Sequence, residues 1–144
     1  MNLFGLLELS GSALGAERLR AEVVASNMAN AETTRTAEGG PYQRRLVVFR
    51  AQRMPQFAML LGGMQNLASR GVRVQQVVAD PAPPLERYQP GHPDADAKGY
   101  VAYPAVNPIE EMTDLLGAMR AYQLNAAAVQ SVKMMIQQSL QLLR

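Results

Sequence analysis

Apolar residues recur in alternating steps of three and four along the C-terminal part of the chain. They are Met112, Leu115, Met119, Tyr122, Ala126, Val129, Ile136, Leu140 and Leu143, with Lys133 interrupting. That spacing predicts an amphipathic helix over 108–144 with a heptad seam. Asn107 suits its cap, Pro108 its first position, and Glu110 stands where a capping-box acid belongs. Glu110, Glu111 and Asp114 favour the positive end of the helix dipole. At about 1.5 Å per residue the helix would run about 55 Å, longer than a small domain is wide. After Asp114 the only charges are Arg120, Lys133 and Arg144, whereas Leu116, Leu124, Val132, Met134, Met135 and Leu142 add apolar surface off the seam. A two-stranded coiled coil in water carries charged flanks instead, so this helix is expected to be covered from several sides.

A weaker stripe at the other end, Leu3, Leu7, Leu14, Ala21, Val24, Met28 and Ala31, predicts a first helix over 1–31, with Ser10 and Glu17 as interruptions. Arg18 and Glu22, four apart, read as a solvated pair on another face. Between the helices the composition changes. "YQRRLVVF" and "GVRVQQVV" are rich in β-branched residues beside glycine and read as strands. Eight of the nine prolines lie between residues 41 and 104, with "PAPP", "PGHP" and "YPAVNP" marking loops. The connection "MPQFAMLLGGMQNLASRG" fits a short helix or a contact loop equally well. The expected fold is therefore α+β: long N- and C-terminal helices paired as a coiled-coil hairpin, with a small β-rich insertion. The helical unit comprises 1–31 plus 108–144, and the β-rich unit 32–107.

Composition narrows the function. A chain of 144 residues suits one compact domain. Its net charge is +2, and its densest basic stretch, Arg44, Arg45, Arg50 and Arg53, is too small to argue for nucleic acid. There is no cysteine, which removes disulfides, thiol catalysis and sulfur-ligated zinc. The N-terminus has no basic residue before Arg18, and Glu8 interrupts its apolar run, so no cleaved signal peptide is expected. No run is apolar for the ~18 residues of a membrane span, so no membrane insertion is expected.

Candidate chemistry is sparse. "HPDADAKGY" gathers His92, Asp94 and Asp96, but a calcium loop begun at Asp94 would place Lys98 at its fifth position and Ala105 at its twelfth. The simpler expectation is a turn fixed by Pro90, Gly91 and Pro93, with the aspartates bonding nearby backbone amides. His92 is the only histidine, so a serine triad has no other base. Glu110 and Glu111 are adjacent, so they do not face each other, and they are expected to serve the helix N-terminus. No enzyme, metal, cofactor or small-molecule substrate is expected.

The stretch "ASNMANAETTRT" (25–36) holds two asparagines three apart where the first helix should end. It resembles the motif A-N-N-x-A-N-A-x-T that closes the N-terminal helix of bacterial flagellar axial proteins. "EEMTDLLGAMRAYQLN" is similar to their C-terminal E-M-x-x-x-x-x-A-x-R-x-Y-x-x-N helix. "GGPYQRRLVVF", "GVRVQQVVAD" and "YQPGHPDADAKGYVAYPAVNPIEEM" resemble the middle of the short, proximal-rod members. The resemblance implies type III export by the flagellar apparatus without cleavage, and residence in the periplasmic rod of the basal body. It also implies assembly with other rod subunits and copies of itself. Asn27 and Asn30 are then expected to be joints that end the helix with left-handed backbone angles and local bonds. The expected assembly interface is Leu7, Leu14, Val24, Asn27, Met28, Asn30, Met112, Leu115, Met119, Arg120, Tyr122, Asn125, Val129, Ile136, Leu140 and Leu143. The competing readings are a stand-alone coiled-coil adaptor and an RNA-binding module using Tyr42, Arg44, Arg45 and Phe49.

Overall fold

The computed structural model describes residues 3–52 and 71–142. Leu143, the two chain ends and the methionine-rich connection over 53–70 lie outside the described residues. The elements run α1 (Leu3–Ala29), β1 (Arg45–Ala51), β2 (Val72–Ala79), β3 (Leu85–Tyr88), β4 (Tyr100–Tyr103) and α2 (Pro108–Leu142). The fold is α+β, two long terminal helices with two antiparallel two-stranded sheets between them. α1 packs along α2, and both β1 and β2 touch α1.

α2 starts as its sequence dictates. The Asn107 side-chain oxygen accepts the Ile109 amide at 3.1 Å, and its amide donates to Glu110 Oε1 at 3.2 Å. Both bonds fix the first turn, where backbone donors have no helical partner. The end of α1 differs from expectation. Among the described residues no non-glycine has positive φ, so neither Asn27 nor Asn30 adopts a left-handed angle. The helix closes by tightening instead. Asn30 N donates to Ser26 O at 3.1 Å and to Asn27 O at 3.2 Å, Ala31 N donates to Met28 O at 3.3 Å, and the Asn30 side-chain amide donates to Ser26 O at 2.9 Å. The last carbonyls are thereby satisfied without a strained residue.

The seam between the helices is also rotated from expectation. Along α2 the buried residues are Glu111, Ala118 and Val132, with Leu115, Asn125, Val129 and Ile136 half-buried beside them. Met112, Met119 and Leu140 are exposed, and Tyr122 is exposed on its margin. The inward positions therefore run 111, 115, 118, 125, 129, 132 and 136, with the exposed Tyr122 on the margin between 118 and 125. Alternate members sit one residue before the apolar residues that define the pattern. One residue is about 100° around a helix, enough to carry a methionine from seam to solvent. Val132, expected off the seam, is 1% exposed. On α1, Ser10 and Ala16 are buried, so Ser10 belongs to the contact rather than interrupting it. Glu17 is half-buried there, and Arg20 lies between Glu17 (3.7 Å) and Asp114 across the helix pair (3.3 Å).

The first hairpin runs back along α1. β1 pairs with β2 from Arg45 opposite Ala79 to Ala51 opposite Val72, with a bulge between Val48 and Phe49. Its far end is tied to the helix by Ser12, whose Oγ accepts the Val72 amide at 3.0 Å and donates to Leu9 O at 2.7 Å. Its near end is tied at Asn27. Fifteen helical steps from Ser12 to Asn27 rise about 22 Å, and six strand steps from Arg45 to Ala51 span about 20 Å, so both ties hold at once. β3 and β4 form a separate hairpin, missed in the sequence because proline-rich loops enclose two strands of four residues. Val101 and Tyr103 are its buried residues, and Arg87 lies 4.6 Å over the Tyr103 ring.

Gly71 shows how close the hairpin lies. Its φ is 143°, and a Cβ there would stand 2.3 Å from Ser12 Oγ. Gly71→Ala is expected to destabilise the subunit by about 1–3 kcal/mol through backbone strain and a displaced Ser12. A urea titration checks this, and Ser12→Ala added to it should recover only part of the loss, because the backbone strain remains.

Candidate functional site, the buried polar joint at Asn27

Three segments meet where α1 ends: the helix itself, the start of β1, and the first turn of α2. Asn27 stands at their centre and is 1% exposed. Its side-chain oxygen accepts the Arg45 amide and the Tyr42 hydroxyl, both at 2.9 Å. Its nitrogen donates to Arg45 O and to Glu111 Oε2, both at 2.9 Å. The side-chain amide therefore pairs with both backbone groups of Arg45, as a neighbouring strand would. Arg44 O accepts from Asp80 N on the β2 side, so the Arg45 groups face the helix. A primary amide has two donors and two acceptor positions, and here all are used.

Glu111, also 1% exposed, takes the joint into α2. Its Oε1 accepts Arg44 Nε and Nη2, each at 2.6 Å. Arg44 reaches Asp80 as well, at 3.7 Å. Burial by itself lowers the Arg44 pKa, but the hydrogen bond and charge of Glu111, aided by Asp80 and Glu110, raise it above the ordinary arginine value. A raised folded-state value means the stabilisation is complete below the ordinary one and is lost only far above neutrality. Glu111 is thus not a helix-dipole acid beside Glu110, as its position in the first turn suggests. It is the charge that anchors Arg44.

The other sequence candidates fall in different places. Asn30 is half-buried one turn on, and Thr33 Oγ1 donates to its side-chain oxygen at 3.2 Å. Leu7, Leu14 and Met28 are half-buried and Val24 is buried on α1. Asn125 is half-buried, with its amide on Ala121 O at 2.8 Å. Arg120 is exposed. Missed by hydrophobic counting were Tyr42, Arg44 and Glu111, although Glu111 opens the motif "EEM" and Arg44 lies in "YQRRL". Of the RNA-binding set, Tyr42 and Arg44 are taken up in the joint, whereas Arg45, 5.9 Å from the Tyr42 ring centre, and Phe49 are exposed. In the loop before β4, Asp96 Oδ1 accepts the Lys98 and Tyr100 amides at 2.8 Å. Asp94 does otherwise than expected, accepting the Thr34 hydroxyl at 2.8 Å and lying 3.6 Å from Arg35. His92 Nδ1 accepts the Asp94 amide at 3.1 Å.

The two helical segments match known families separately. Residues 7–35 match the family described as "Flagella basal body rod protein", and 97–142 match "Flagellar basal body rod FlgEFG protein C-terminal". Over its whole length the chain is similar to proteins named flagellar basal-body rod protein FlgC. It is 36% identical to that of Borreliella burgdorferi, covering 100% of this chain and 99% of the relative. It is 39% identical to that of Yersinia enterocolitica, over 99% and 98%. It is 37% identical to that of Bacillus subtilis, over 99% of each. The chain belongs to the FlgC family of flagellar basal-body rod proteins. As a FlgC-family member it is a structural subunit of the basal-body rod and not an enzyme. The stand-alone adaptor is not favoured. Glu111, Ala118 and Asn125, which carry the resemblance to the axial-protein motif, recur every seven residues and are buried or half-buried along α2.

The charged pair gives a direct test of the joint. Arg44→Ala leaves the Glu111 carboxylate buried with only Asn27 as partner, and should cost about 3–5 kcal/mol. Arg44→Ala with Glu111→Gln removes the stranded charge and should cost at least about 1 kcal/mol less than the single substitution. Chemical denaturation of the three variants and the double-mutant cycle measure both.

Proposed function

We propose that the chain is a subunit of the proximal rod, assembling through α1 and α2 with other rod subunits and with copies of itself. Residues 1–31 and 108–144 form the tube-building unit, and 32–107 a unit carried outside it. The subunit passes the flagellar export apparatus without a cleaved signal peptide and is assembled in the periplasm. One observation carries this reading. Ile109, Met112, Leu116, Met119, Leu124, Leu140 and Leu142 are all exposed on one helix of a small subunit. An apolar surface of that extent marks an interaction face. The buried contact beneath it is thin, only Glu111, Ala118 and Val132 in the length of α2, which suits helices that order fully on assembly. No described helix is long and apolar enough to cross a membrane.

An affinity-tagged chain is expected in isolated basal bodies, and its deletion should abolish motility. A motile deletion strain, or basal bodies without the protein, would remove the rod reading. For the free subunit, hydrogen exchange at high dilution should find amides of residues 115–140 exchanging nearly as fast as an unstructured peptide. Strong protection in a verified monomer would show a helix pair finished on its own.

A further inference from the structure

The side of α2 turned away from α1 carries Ile109, Leu116, Arg120 and Leu124, all exposed. Leu124 is 72% exposed, and Leu116 50%. Arg120 sits between them, and among the described residues it makes no hydrogen bond or ion pair. A cation held among leucines without an acceptor gains little from its own chain.

The outward side of α1 has the complementary character. Phe4 is 75% exposed, and Glu8, one turn on, is an exposed acid that also makes no hydrogen bond or ion pair among the described residues. The next outward positions are Gly11 and Gly15, with nothing within 4 Å of where a side chain would begin. Beyond them Arg18 and Glu22 are already paired at 2.9 Å. The α1 face therefore offers one ring, one free acid and a shallow open stretch, where the α2 face offers bulky aliphatics and one free cation.

We propose that these two faces are the halves of a single contact between copies of this chain, α2 of one against α1 of the next. The assignment rests on the rod-subunit reading and adds its partner and register. Laid antiparallel, the two helices match position by position. Leu124, Arg120 and Leu116 are four residues apart, as are Phe4 and Glu8. With Arg120 opposite Glu8 of the partner subunit, Leu124 meets Phe4 of the partner subunit. Leu116 then falls between Gly11 and Gly15 of the partner subunit, where no side chain stands in its way. Residues three and four apart share a helix face, so all of these contacts are made together. The faces differ, so the contact is heterologous, and each copy offers one half forward and one half back. Such contacts build rings or helical assemblies rather than closed dimers.

The chain has no cysteine, which makes the register directly readable. A Glu8→Cys, Arg120→Cys double variant, produced in a strain lacking the wild-type protein, should give a ladder of disulfide-linked dimers and larger species when isolated basal bodies are oxidised. Each single-cysteine variant should remain monomeric. Basal bodies that contain the double variant but yield only monomer would overturn this pairing and leave the rod reading standing. Absence of the wild-type chain from basal bodies would overturn the rod reading itself. Charge exchange gives an independent arm. Arg120→Glu should cut incorporation about fivefold or more, with the amount of subunit made and exported unchanged, and adding Glu8→Arg to the same chain should restore it. If the second substitution deepens the defect, the two side chains do not meet, and the α2 face belongs to a different rod protein.

Discussion

The carboxamide of Asn27 sits where three chain segments converge, bonding the backbone of Arg45, the hydroxyl of Tyr42 and the carboxylate of Glu111. A buried polar group is costly unless its partners are complete, and a complete set is highly directional. The directions matter here. Helix, strand and second helix can each satisfy Asn27 in only one relative placement, so the side chain fixes the angle at which the insertion leaves the helical pair. Glu111 and Arg44 extend the same constraint to the far strand through Asp80.

From that joint the rest of the subunit is laid out by length. β1 runs back along α1 for about as many ångströms as separate Asn27 from Ser12, and Ser12 holds the hairpin's other end by a single hydroxyl that accepts the Val72 amide of β2. The hairpin is therefore clamped to a helix at two points rather than buried in a core. The second hairpin is held differently, through loop contacts such as Thr34 on Asp94. A molecule organised by clamps has a small apolar interior. The core along the two helices is Ala16, Val24, Ala118 and Val132, small side chains that let the helices approach closely. Larger side chains such as Leu7, Leu14, Leu115 and Ile136 are only half-buried, and Met112, Leu116, Met119, Leu124 and Leu140 are left outside. In an isolated protein that distribution would be a liability, whereas the assembly proposed through α1 and α2 would cover it.

The acids that the sequence offered as candidate chemistry have structural partners. The acids and bases that looked available are used to hold backbone or one another: Asp96 on two amides, Asp94 on Thr34, Glu111 on Arg44. The Arg44–Glu111 pair, in contact at 2.6 Å, serves position.

Local pattern was enough to specify both helices, the cap at Asn107, and strands β1 and β2, because periodicity, capping and β-branched runs act within a few residues. Motif spacing was enough to assign the family. Hydrophobicity alone misplaced the seam by one residue at alternate positions, selecting Met112 and Met119 over Glu111 and Ala118. A count of apolar residues cannot see that a carboxylate is buried by an arginine distant in sequence, or that an alanine is inside because another helix comes close. The same holds for Asn27. Its place near a helix end was legible, and its expected left-handed turn was a reasonable local solution. Its partners at residues 42, 45 and 111 exist only once the chain has folded back on itself. Which face of each helix turns inward, and which residues therefore remain for a neighbour, was decided by that tertiary joint, since rotating a helix by one residue alters nothing in its local energy and everything in what it touches.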